Sequence, residues 1–185
     1  MLKKNILHIA FLSTGLLLYP LGVIAGTAIE GAFGVKLGQK KAAIAALIIS
    51  ERKLSDANDY KFRPVHPYKP LSKYSVFITP QSEQVYKIRA TGKFRNVHAC
   101  KLELGRLEKI LARKYGQKNF DPSRQFTKSS KITFGRGSRR IYVSCTGLFA
   151  RQLELDYVDK KLAKALGWGS HEKNVLPVAP DASGL

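Results

Sequence analysis

Two cysteines are the residues whose chemistry the pattern of this chain indicates most directly. Cys100 opens a series with Leu104, Leu107, Leu111 and Tyr115, at steps of four, three, four and four, which is one stripe of an α-helix. Cys145 alternates with Ile141, Val143, Gly147 and Phe149, which is one face of a β-strand. Both sulfurs therefore turn toward an apolar layer, where a helix laid on a sheet brings them together. They are expected to form one disulfide, helix to strand. Lying 45 positions apart they make no Cys-x-x-Cys pair, and no histidine falls at ligand spacing, so neither a metal nor a cofactor is expected.

The remaining reactive residue types do not combine into a catalytic group. His66, His98 and His171 are scattered singly through a proline-rich stretch, a helix start and a tail, whereas a catalytic base also needs a partner that orients it. Glu154, Asp156 and Asp159 read as the end of a strand whose last acid caps a helix and complements its dipole. Ser144 and Thr146 alternate on a strand without the Gly-x-Ser-x-Gly elbow of a nucleophile. Gly135-Arg136-Gly137-Ser138-Arg139-Arg140 lacks the Lys-Ser/Thr ending of a phosphate-binding loop, and no helix follows it; it reads as a hairpin turn edged by arginines. No catalytic residue is assigned. A secreted enzyme whose site unites distant polar residues stays open as an alternative.

Charge points to a partner. The chain carries 32 Lys and Arg against 13 Asp and Glu, a formal net charge of +19. Such a field attracts anions without choosing among them. A polyanion is the expected partner: lipid head groups, lipopolysaccharide, acidic glycan or nucleic acid. Basic residues are densest from Lys118 to Arg140, where Asp121 is the single acid and Phe120, Phe126 and Phe134 interleave, with Tyr142 just beyond. Lys128, Lys131, Arg136, Arg139 and Arg140 are the candidate contacts, because a short turn holds their charges close together. An inhibitor or adaptor of another exported protein is the second alternative, with Pro64–Pro70 and 117–130 as its candidate loops.

The elements that must position these residues are legible from periodicity. Lys40–Arg52 reads as a helix, with Ala42, Ala43, Ala45 and Ala46 favouring it. Three prolines between Tyr60 and Leu71 force an irregular extended path. A hairpin follows, Tyr74–Thr79 with Val85–Thr91, then the Cys100–Tyr115 helix closed by Gly116. A second hairpin joins Lys131–Phe134 to Arg139–Phe149; Leu153, Leu155 and Tyr157 make a further strand, and Val158–Leu166 a short helix. An echo links Leu102-Glu103-Leu104 through Gly116 with Leu153-Glu154-Leu155 through Gly167, readable as a duplicated hairpin-helix unit or as chance. The fold class is therefore α+β: an antiparallel sheet of about five to seven strands with helices packed on one face.

The first 25 residues place the rest. Lys3 and Lys4 precede an apolar run from Ile6 to Ile24, which ends in the small-residue site Val23-Ile24-Ala25. That is the pattern of a secretory signal peptide over 1–25, with a retained membrane anchor as the rival reading. Residues 26–169 then form one domain and 170–185 a flexible C-terminal tail. Losing Lys3 and Lys4 leaves 30 basic residues against 13 acidic ones, or +17, and no transmembrane segment. The stretch Ala32-Phe33-Gly34-Val35-Lys36-Leu37-Gly38-Gln39, directly after that segment, resembles the start of small uncharacterised periplasmic proteins of proteobacteria. The resemblance implies a periplasmic or secreted location and no particular activity. The expected protein is thus an exported, non-enzymatic binding or envelope-associated module. N-terminal sequencing of exported material should begin at Gly26; an intact Met1 in the membrane fraction would establish the anchor instead.

Overall fold

The computed structural model describes residues 27–53, 58–116, 131–146, 149 and 151–166. The expected signal peptide, the basic loop 117–130 with Lys128, and the tail 170–185 lie outside these described residues. A two-residue turn at Phe33-Gly34, with φ of 58° and 90°, joins β1 (Gly31–Ala32) to β2 (Val35–Lys36). Then come a 3-10 helix (Lys41–Leu47), β3 (Ile48–Lys53), β4 (Asn58–Phe62), β5 (Lys73–Ile78) and β6 (Val85–Lys93). The long helix α1 (Val97–Tyr115) leads to β7 (Lys131–Phe134), β8 (Arg139–Thr146), β9 (Gln152–Asp159) and the short α2 (Lys160–Lys164). Strands β3 to β9 form one seven-stranded sheet in the order β3-β4-β5-β6-β9-β8-β7, and every neighbouring pair is antiparallel. The last strand in sequence is thereby inserted inside the sheet, between β6 and β8.

Side-chain alternation divides this sheet into two faces of different character. Tyr74, Val76, Ile88, Ala90, Ile141, Val143, Leu155 and Tyr157 share one face and are all buried. Helix α1 covers that face with the stripe expected from its sequence: Cys100, Leu104, Leu107, Leu111 and Tyr115 are buried in the same cluster. Asn96 caps the helix, its side-chain oxygen accepting from the Ala99 N–H at 2.9 Å. Gly116 closes it at φ 83°, a conformation open to glycine. The helix-to-strand disulfide is present, with the Cα atoms of Cys100 and Cys145 6.1 Å apart.

Three local expectations change. Lys40–Arg52 is not one helix: the alanine-rich half winds as a 3-10 helix, and β3 begins at Ile48. The β-branched pair Ile48-Ile49 favours extended backbone, and β4 supplies the partner strand, with Ile49 as the extra residue between the Ile48–Phe62 and Ser50–Lys61 pairs. Tyr60–Phe62, expected as the start of an irregular extended path, belongs to β4, because its alternate residues Tyr60 and Phe62 are buried. Finally, the helices do not share one face. The pleat puts Phe77 and Val158 opposite the α1 side, and one extra residue in β6 opposite Phe77–Ile78 makes a bulge that turns Tyr86 there too. Leu162, Ala163 and Leu166, on and just beyond α2, pack on these three side chains. As for the internal echo, its first Leu-Glu-Leu lies in α1 and its second in β9, so it joins a helix to a strand.

The disulfide ties α1 to the edge half of the sheet across a separation of 45 residues. Replacing both cysteines by alanine should lower stability by about 4 kcal/mol on the chain-entropy model. Urea unfolding of the variant against the oxidised parent checks this; coincident midpoints would mean that the bond constrains nothing.

Candidate functional site

The face opposite α1 carries the polar chemistry. Cross-strand pairing arranges its side chains in rows that run across the sheet. One row reads Arg52, Asp59, Phe77, Lys87, Val158, Arg140. The next reads Ser50, Lys61, Ser75, Arg89, Asp156, Tyr142, and the third Lys73, Thr91, Glu154, Ser144, Lys131. Neighbouring strands lie about 4.8 Å apart, so each row brings residues distant in sequence into direct contact range.

Ion pairing at the centre of this face is buried. Asp156, on the interior strand β9, accepts from Arg89 Nε and Nη2, each at 2.8 Å, and from Lys87 Nζ at 3.0 Å. Glu154 Oε1 lies 2.7 Å from Arg89 Nη2. The Lys87 ammonium also sits over the Phe77 ring, 5.0 Å from its centroid. Burial works against the Asp156 charge, but the Arg89 hydrogen bonds and the Lys87 charge outweigh it and hold the carboxyl below its usual 3.8. Glu154 moves the other way: burial and the adjacent Asp156 charge raise it above 4.5 despite Arg89 and Lys87. Burial disfavours the Arg89 cation as well, yet its bonds to Asp156 and the charges of Glu154 and Asp59 raise its pKa.

Beside this network, over β3 to β6, the face opens into a groove of about 580 Å³. Arg52, Lys61, Arg63, Lys73 and Arg89 line it, with Asp59 as the single carboxylate among the lining residues. Arg52 is paired with Asp59, and Arg89 with Asp156 and Glu154. Among the described residues, Lys61, Arg63 and Lys73 have no carboxylate within 4 Å. The groove therefore carries uncompensated positive charge. Its wall also presents the hydroxyls of Ser72, Ser75 and Thr91.

The residues expected to meet an anion are divided. Lys131 and Arg140 lie on the groove's face, at its far side, with Lys131 Nζ 4.4 Å from the centroid of the Tyr142 ring. Arg136 is exposed at the turn. Arg139 is engaged internally: it pairs with Asp159 at 3.3 Å and donates at 3.2 Å to the carbonyls of both Ile29 and Leu37, stapling the N-terminal segment to the sheet. Asp159 caps α2, accepting from the Lys161 and Leu162 N–H groups at 3.0 and 3.3 Å, as the acidic pattern suggested. His98 is exposed, and His66 lines a separate cavity of about 360 Å³ beside β1 and β2.

The Pro64–Pro70 loop, a candidate for protein contacts, is anchored rather than loose. Its Tyr68 donates to Glu103 of α1 at 2.5 Å, and burial with this bond pushes the phenol up to about 12. Lys61, Arg63 and Lys73 were not among the expected contacts. They flank the three prolines, and without β4 in the reading nothing aligned them with Arg89; alternation of Tyr60 and Phe62 with Lys61 was the available signal. Comparison with protein-family models, curated proteins and solved structures returns no match for this chain.

Asp156→Asn removes the carboxylate that two cations face, and should cost about 3–5 kcal/mol. Because its folded pKa is depressed, Asp156 contributes stability above its ordinary 3.8 that is lost as pH falls through the folded value. Glu154, raised, contributes in the opposite sense, below 4.5. Denaturation between about pH 2 and 5 should show the parent losing stability on acidification more steeply than Asp156→Asn. Parallel curves would deny Asp156 this role.

Proposed function

We propose that this chain is an exported, non-enzymatic binding module that takes a polyanion on the groove-bearing face of its sheet. The observation that carries the reading is the trio Lys61, Arg63 and Lys73, uncompensated by any described carboxylate and gathered on one groove. Cations already committed to buried carboxylates are worth little to a ligand, since their charge is cancelled where they stand. Free ones, set along a concave surface, focus potential and draw anions in. The bonded Cys100–Cys145 pair suits an oxidising compartment, which supports export. Among the described residues no helix is long and apolar enough to cross a membrane.

On this reading the groove contributes more to binding than the second hairpin, where Arg139 is held by backbone carbonyls and a carboxylate. Heparin, lipopolysaccharide and single-stranded DNA, titrated at about 50 and 200 mM salt, measure the salt dependence of binding. The Lys61→Ala/Arg63→Ala/Lys73→Ala variant should bind more weakly than Arg136→Ala/Arg140→Ala and flatten the log–log salt slope by about 2–3. Equal loss in the two variants would return the site to a diffuse basic surface. Absence of salt-sensitive binding to all three probes would remove the polyanion.

A further inference from the structure

We propose that Ser75, flanked by Lys61 and Arg89 and adjoined by Lys73 and Thr91, is a seat for one tetrahedral oxyanion, the sulfate or phosphate ester group of the bound polymer. The inference rests on the polyanion reading and specifies which anion chemistry it takes and where.

Ser75 is the middle member of the row Lys61–Ser75–Arg89, one residue from each of β4, β5 and β6. At the spacing of sheet strands the two cations start about 10 Å apart with the serine between them, a gap that long basic side chains close over a group of that size. Lys73 and Thr91 form the adjoining pair, one step along β5 and β6 on the same face. All five line the groove. The hydroxyls of Ser75 and Thr91 make no hydrogen bond to any described residue, so both are available as donors.

Arg89 is positioned before any ligand arrives. Asp156 takes its Nε and Nη2, Glu154 lies against Nη2, and the two hydrogens of Nη1 have no partner among the described residues. The two carboxylates cancel its net charge while fixing its orientation, so Arg89 supplies directed donors and Lys61 and Lys73 supply the attraction. Asp59, which would repel an anion, lies one row away and is paired with Arg52.

The donor arrangement selects the anion. Donors approach from β4, β5 and β6 and from two successive rows, which suits an ester group offering three oxygens in three directions. A carboxylate offers two oxygens in one plane, fitted to a single bidentate arginine, and Arg89 already gives its bidentate edge to Asp156. Sulfate and phosphate esters share this chemistry and differ in source: a sulfated glycan, or the backbone of a nucleic acid and the head groups of lipopolysaccharide.

The full mature chain and its Ser75→Ala variant are titrated with heparin, single-stranded DNA and polyglutamate. Amide chemical shifts are followed separately with inorganic sulfate and phosphate. Loss of one charge-assisted hydrogen bond should weaken heparin and DNA binding about tenfold and leave polyglutamate unchanged. Inorganic sulfate or phosphate should shift the Ser75 and Thr91 amides saturably in the parent and not in the variant. The tighter of heparin and DNA identifies the source. Should Ser75→Ala bind all three polymers as the parent does, the seat is overturned while the polyanion reading stands. Should no polymer bind but the inorganic anions still saturate at Ser75, the seat stands and the polyanion reading falls. Failure of both overturns both.

Discussion

Asp156 stands at the middle of β9, the strand on which both halves of the sheet close, and its charge is answered from β6 by Lys87 and Arg89. A buried carboxylate is tolerated only where cations and hydrogen bonds meet it at close range, so this pairing constrains how β9 can sit beside β6. A slip of one residue would turn Asp156 toward the helix-covered core and Leu155 or Tyr157 toward the polar face. The ion pairs thus reinforce the register that the apolar alternation already favours. They also set the character of the second face, which is charged at its centre and open over β3 to β6.

That division of labour explains how a domain with such an excess of basic residues keeps a stable core. The apolar face is closed by α1 and its disulfide, and by aromatic edge contacts such as Tyr115 with Tyr157 at 6.4 Å and Phe33 with Tyr74 at 5.0 Å. Cationic side chains lie on the opposite face, on the outer side of α1 and at the turns. Some of them are structural: Arg139 holds the segment before the 3-10 helix, and Lys87 fills space beside Phe77. Others have no such duty. A count of basic residues cannot separate the two kinds, whereas their partners can.

The hairpin at 131–146 illustrates the difference. Its arginines are adjacent in sequence, yet alternation along β8 sends Arg139 and Arg140 to opposite faces. One becomes a staple for the N-terminal segment and the other joins the row that contains Lys87. Lys61, Lys73 and Arg89 are separated by up to 28 positions and come together because β4, β5 and β6 are neighbours. A shared face of a sheet is a better guide to a common site than a shared stretch of chain.

Local periodicity was enough to establish α1 with its Cys100–Tyr115 stripe, both hairpins, the β9 strand and the facing of Cys100 toward Cys145, because each is written in steps of two or of 3.6 residues within one segment. Gly116 marked the end of α1, and the last acid of the Glu154–Asp159 group the start of α2, in the same local way. Tertiary structure alone decided the rest. The change from 3-10 helix to strand at Ile48 depends on a partner strand; the placement of α2 depends on a bulge in β6 and an apolar patch at Phe77, Tyr86 and Val158. The groove depends on which strands lie side by side and which of their cations already have carboxylates. Those are long-range pairings, fixed by the free energy of the assembled sheet rather than by the residues along any one stretch of it.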